Sequence, residues 1–175
     1  MRTRTAVPKA RLVLQDAMYV RDKLEAEVGH IEWRLYWVLA VVLLRAVGHV
    51  LDKVDGANSA AVRTTAKKLH QTWKVADEHA IFRDFIERER NSILKEYASE
   101  VTEGPIPVMA YLQSHDGFDV VRQFLIEENL YRPMGSGAFE GEDGRTLLDD
   151  AIEWWAKQLD EIDTAVHPDT AHTPL

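Results

Sequence analysis

The sequence contains no cysteine, which excludes disulfides, a thiolate nucleophile and Cys-bound zinc. A reducing, cytoplasmic setting is the matching expectation. Positive charge is also scarce. Twenty-one Lys and Arg stand against 29 Asp and Glu, for a net charge of -8. That balance favours solubility and argues against a broad nucleic-acid footprint, which needs a basic surface; a local basic site stays open. The opening Met-Arg-Thr-Arg-Thr-Ala-Val-Pro has no apolar core for a secretory leader. Leu35–Leu44 carries no charge, but a membrane span needs roughly 20 residues. Bracketed by Arg34 and Arg45, this run reads as a buried core helix, and no membrane is expected.

Catalytic signatures are missing as well. There is no His-Glu-x-x-His, no Gly-x-Ser-x-Gly and no phosphate loop ending in Lys-Ser/Thr. The seven histidines are scattered. Glu27 precedes His30 at the spacing used in di-iron bundles, but the motif occurs once and those sites need it paired. No metal and no cofactor are expected.

What is present is ordinary globular composition, 46% apolar and 29% charged, in a chain long enough for one real core. The pattern reads as mainly α, a bundle of four or five helices forming one domain over 1–165, with 166–175 a disordered tail. Pro8 suits the first turn of a helix over 8–28, ended by Gly29. The central helix, 30–53, is apolar round nearly its whole circumference, as if surrounded by others. Arg34, Arg45 and Asp52 fall on one narrow stripe of it, with His49 one turn beyond Arg45. Either the stripe meets solvent over apolar neighbours, or Arg45 is buried and paired. Asp55-Gly56-Ala57-Asn58 signals a turn, and Asn58 or Ser59 can cap a helix to Trp73. After a break near 75–78, where Asp77 is a candidate cap, a fourth helix is expected over 80–99.

Beyond Glu100, Gly104-Pro105-Ile106-Pro107 breaks the helical half. Residues 108–113 and 124–131 suit short strands or helical turns, with Asp116-Gly117 a turn between them. The intervals of Val120, Val121, Phe124 and Leu125 favour helix over 119–129. The segment around 100–143 is therefore expected to be irregular or to hold a short β-hairpin. Residues 132–144 read as a loop. Asp143 can cap a last helix marked by Leu148, Ala151, Ile152, Trp155, Leu159 and Ile162, with Trp154 widening its buried face.

The chemistry concentrates in Glu87–Tyr97. On a helical wheel started at Ile81, the residues Phe82, Phe85, Ile86, Ile93 and Tyr97 share one face, and Glu89 falls in its middle. A carboxylate there needs a partner, and Arg45 of the central helix is the expected one, giving a structural buried pair. Arg90 falls at the edge of that face. It could bind phosphate bidentately, Asn91 could orient a hydroxyl, and Tyr97 could donate a hydrogen bond or act as a weak acid.

Arg90-Asn91-Ser92-Ile93-Leu94-Lys95-Glu96-Tyr97 resembles the Arg-Asn-x-x-x-His-x-Tyr signature of the HEPN superfamily, over residues 10–99. Those are small all-helical domains, many of them metal-independent ribonucleases that pair as homodimers around one cleft. The resemblance implies a catalytic role for Arg90, Asn91 and Tyr97. Lys95 stands where the His belongs; an amine with a pKa near 10.4 is a poor base at neutral pH, so phosphate binding by Arg90 and Lys95 is implied instead. The leading expectation is a HEPN-like homodimeric domain, non-catalytic or weakly active, that binds RNA, a nucleotide phosphate or a partner protein. The alternative is a helical structural or regulatory protein in which Arg45 and Glu89 pair and nucleic acid has no part.

Overall fold

The computed structural model describes residues 5–26, 29–102, 106–113, 119–126 and 131–167. The protein is mainly α: the described residues form five α-helices and a two-stranded antiparallel ribbon. Helix α1 is Pro8–Lys23, with proline in its first turn and Ala10, Leu14, Ala17 and Val20 buried at helical spacing. Its N-terminus has no side-chain cap of its own. The buried Asp55 supplies one, accepting from Lys9 N at 3.2 Å and Ala10 N at 2.8 Å. A second carboxylate, Asp163, accepts from Ala6 N at 2.6 Å and from Arg11 Nη2 at 2.6 Å, tying the chain start to the last helix. Burial opposes the charge on Asp163, but bonds from Arg11, Thr5 and Ala6 N–H hold its carboxyl below the usual range.

Helix α2, His30–Val50, continues into a π-helical turn, Leu51–Asp55, and a final turn, Gly56–Asn58. The expected Asp55-Gly56 turn is thus helical, and its winding swings Asp55 inward onto α1. By length and composition His30–Asn58 is long and apolar enough to cross a membrane. In this fold one side of α2 buries Trp33, Trp37, Ala40, Val41, Leu44 and Val47. The other side corrects the expectation of a fully surrounded helix: Ile31 is 67% exposed, Leu35 51% and Leu39 44%.

Helix α3, Ala60–Trp73, starts at Ser59, whose Oγ accepts from Val62 N at 3.3 Å. A short turn, Asp77–His79, follows, and Asp77 caps nothing there. A π-helical segment, Ile81–Glu87, then leads into α4, Arg88–Glu96. Strands β1, Ile106–Gln113, and β2, Asp119–Ile126, pair with Val108 opposite Phe124 and Tyr111 opposite Val121. This overturns the helix expected over 119–129. Val120, Val121, Phe124 and Leu125 follow the helical period and fall two on each face of the strand, and it is the facing strand that supplies the backbone partners. Asp116-Gly117 lies outside the described residues, as does the tail beyond His167.

Helix α5, Gly144–Val166, begins at Asp143, which accepts from Arg145 N at 2.9 Å. The preceding loop is pinned by bridges between Val101 and Met134 and between Pro133 and Asp143. Gly144 is required by close approach: a Cβ there would sit 2.8 Å from the Trp37 ring. All five tryptophans are buried. Trp33 and Trp37 stack, while Trp73, Phe82, Trp154 and Trp155 form a second cluster. Three of the indoles find acceptors: Trp37 in Glu89, Trp73 in Gln158 and Trp154 in His79.

Glu89 is buried at 1% exposure, as its place on the apolar face predicts, but Arg45 is not its partner. Its carboxylate accepts from Trp37 Nε1 at 2.8 Å, Ser99 Oγ at 2.6 Å and Glu100 N at 3.2 Å. Arg45 pairs with Glu87 at 3.5 Å, at the half-exposed rim. The expected Arg45–Glu89 pair fails because Ile81–Glu87 is π-helical. Its i→i+5 winding turns by less than 100° per residue, so a wheel started at Ile81 loses phase by Glu87. Replacing Glu89 with alanine leaves three donors without their acceptor. Glu89→Ala is expected to cost about 3 kcal/mol of unfolding free energy, read as a lowered urea midpoint at constant m-value.

Candidate ligand cleft

Glycine and alanine at facing positions keep α2 and α3 from filling the space between them. Gly48 on α2 and Ala66 on α3 wall a chamber of about 280 Å³. Gly48 also lets α2 rest on the last helix, since a Cβ there would meet Trp155 Cη2 at 2.9 Å. The floor is Trp73, Phe82 and Trp155, all buried; the mouth carries Arg45, His49, Asp52 and Lys67. His70 stands edge-on to Trp73 and Phe82, with ring centroids at 6.0 Å from each. Burial, and secondarily the charge of Lys74, lowers the His70 pKa from its ordinary value, so its ring is neutral at pH 7. Both π-helical segments of the described residues reach this chamber, one through Leu51 and Asp52, the other through Phe82. Such irregular windings recur at functional sites because they re-aim side chains.

A second depression, about 290 Å³, lies across Arg45 and His49 from the first. Val42, Ala46 and Leu94 form its apolar walls, and Arg90 completes it from α4. Arg45 has Glu87 as counter-charge. Arg90 is half-buried, and its Nη1 donates to Asn91 Oδ1 at 2.8 Å. It has no carboxylate partner among the described residues.

The residues singled out in sequence thus separate. Arg90 and Asn91 lie together at the groove. Lys95 is exposed; five residues beyond Arg90 in an α-helix, it lies about 140° round the axis. It does not line the groove, so the expected shared phosphate grip of Arg90 and Lys95 is not assembled within one chain. Tyr97 is 68% exposed and ends α4 in the left-handed region, with φ 50° and its N–H bonded to Ile93 O at 3.0 Å. That reversal brings Ser99 and Glu100 back onto Glu89, so Tyr97 serves chain direction and lies apart from Arg90.

Arg45 and His49, by contrast, are the shared wall of both depressions. Their place on the polar stripe of α2 was the available signal. The contribution of Lys67, His70 and Trp73 was not accessible, because it depends on how α3 lies against α2. Among the described residues no group of three or more His, Asp or Glu is placed to hold a metal ion.

Compared with known proteins, the chain matches no family model, no curated protein and no solved structure.

Tyrosine is a poor occupant of the left-handed position where helices usually place glycine. Tyr97→Gly is expected to raise stability by about 1 kcal/mol, seen as a higher thermal midpoint.

Proposed function

We propose that this protein is a HEPN-like helical domain that binds phosphate groups of RNA or a nucleotide in the Arg90 groove, without cleaving them. One observation carries the reading: the Arg90 guanidinium is half-buried beside Arg45 and His49, with no carboxylate partner among the described residues. A cation so placed favours an anion, and guanidinium geometry suits phosphate oxygens. The net charge of -8 limits the contact to a short stretch of backbone. The separation of Lys95 and Tyr97 from Arg90 supports binding over chemistry, because neither motif residue lines the groove and His49, which does, lies on another helix and off the motif.

The partner in this reading is a second copy of the chain. Ile31, Leu35 and Leu39 recur every four residues on the uncovered side of α2 and run towards the groove walls Val42 and Ala46. An exposed apolar stripe on one helix is self-complementary about a two-fold axis, and covering it would set two Arg90 grooves near one seam.

Two experiments test these points. In fluorescence anisotropy with a labelled single-stranded oligoribonucleotide, Arg90→Ala is expected to weaken binding about tenfold and to reduce the salt slope by about one. Lys95→His should yield no cleavage product. Equal binding by wild type and Arg90→Ala would remove the phosphate site and leave a structural helical protein. In light scattering after size exclusion, wild type should run as a dimer and Leu35→Glu as a folded monomer; a monomeric wild type overturns the pairing.

A further inference from the structure

The two-stranded ribbon is the part of the molecule that its own helices leave uncovered. Every large apolar side chain described on it meets water, from Val108 at 38% exposure to Tyr111 at 78%. Residues directly opposite one another share a face of a sheet. Val108 and Phe124 therefore lie on one face, and Tyr111 and Val121 on the other, so both faces carry exposed apolar groups. A lone two-stranded ribbon is marginally stable in water; a third strand or a packed face is needed for more.

The two edges of the ribbon differ. Pro107 stands opposite Leu125. Proline has no N–H, so this pair cannot exchange hydrogen bonds and belongs to the non-hydrogen-bonded kind. The two kinds alternate along the ladder. Val108–Phe124 and Ala110–Arg122 thus exchange the bonds, while the backbone groups of Val121, Gln123 and Leu125 point outward from β2. Those of Met109 and Tyr111 point outward from β1, where Pro107 blunts the edge. The edge of β2 has neither proline nor lysine. No third strand covers it among the described residues.

This open edge is complementary to itself. Two β2 strands set antiparallel about a two-fold axis at Gln123 bond every outward group of Val121, Gln123 and Leu125. Val121 then faces the partner's Leu125, apolar against apolar. Arg122 faces the partner's Phe124, a cation beside a ring. Amide meets amide at the axis, and no like charges stand opposite; an axis at Arg122 would oppose two guanidinium groups. We propose that this protein pairs with a second copy along β2, giving a four-stranded sheet in the order β1-β2-β2-β1. A helix laid on the ribbon would cover one face and leave the other wet, whereas a strand added at β2 extends both. The inference rests on the pairing of two copies put forward above and names a further surface that they share. The eight residues of β2 span roughly 27 Å. An edge of that length falls short of the area that holds a dimer by itself, so it adds to the α2 contact.

The test exploits the absence of cysteine, which makes an introduced thiol unique in the chain. Under mild oxidation, full-length Gln123→Cys is expected to form a disulfide-linked dimer about tenfold faster than Ala110→Cys. A hydrogen-bonded antiparallel pair sets its Cα atoms about 5.5 Å apart, within disulfide reach, while Ala110 lies one strand further from the axis. In hydrogen exchange followed by NMR, the amides of Val121, Gln123 and Leu125 should be protected and those of Met109 and Tyr111 should not. Val121→Pro removes an outward N–H and none of the ribbon's own bonds. It should bring Gln123→Cys down to the rate of Ala110→Cys; should it disturb the ribbon, the thiol comparison and the exchange decide alone. Adding Leu35→Glu to Gln123→Cys separates the two contacts. Loss of the cross-link supports one dimer holding both, and a cross-link that survives keeps the β2 pairing while overturning the α2 seam. Equal rates for the two thiols, or unprotected amides on β2, overturn the proposal whether or not the wild type is dimeric.

Discussion

One buried carboxylate sets the terms for half of this fold. Glu89 has lost almost all contact with water, and an ion in that position costs several kcal/mol unless its lone pairs are occupied. Here they are occupied by an indole N–H, a hydroxyl and a backbone N–H. Each donor comes from a place the chain must reach. Trp37 fixes α2 against α4. Ser99 and Glu100 require the chain to double back immediately after α4, which is why Tyr97 adopts a left-handed conformation. Glu100 then passes the constraint on: its carbonyl accepts from Gly135 N at 2.6 Å and its side chain holds Arg88 at 2.8 Å. The loop before α5 is thereby seated against the same turn, and Gly144 can approach the ring of Trp37.

The same logic of satisfied donors organises the aromatic core. Indoles bring large apolar area and one polar atom each, so a core rich in tryptophan needs acceptors at specific depths. Gln158 and His79 serve Trp73 and Trp154 as Glu89 serves Trp37. Trp33 and Trp155 depart from this pattern, and Trp155 is also the ring that α2 meets through Gly48 at the chamber. Packing and opening are therefore coupled: the glycine that lets α2 sit on Trp155 also keeps a side chain out of the space beside it.

The helical class and the caps at Ser59 and Asp143 were legible in the sequence, because capping and 3.6-residue periodicity are local. Burial of Glu89 was legible for the same reason. Its partners were not, since Trp37 lies 52 residues away and Ser99 sits beyond a reversal that a tyrosine does not advertise. The Arg45 pairing was misjudged where the helix leaves α geometry, and nothing in Ile-Phe-Arg-Asp-Phe-Ile-Glu marks a π-helical winding. Asp55 illustrates a different limit. Asp-Gly reads as a turn, yet the residue acts as a cap for α1, a helix 45 residues upstream. The 119–126 strand was missed because its apolar residues follow the helical period and divide between the two strand faces, so only the facing strand decides.

Helix phase also decides how the Arg90–Tyr97 motif can act. A motif read as a string places Arg90, Lys95 and Tyr97 side by side, whereas the helix turns Lys95 away and the left-handed residue removes Tyr97 from the helix altogether. What remains at the groove is a guanidinium held by Asn91 and backed by Arg45 and His49 from α2. A guanidinium can hold an anion, but cleavage of a phosphodiester needs a group that accepts a proton at neutral pH in register with the attacked atom. The exposed amine of Lys95 does not meet that need, the buried carboxylate of Glu89 is committed to its three donors, and His49 enters the groove from α2, outside the motif. The geometry therefore divides the stretch between architecture at Glu89, to which Tyr97 belongs, and the groove at Arg90, where the proposed phosphate contact would lie.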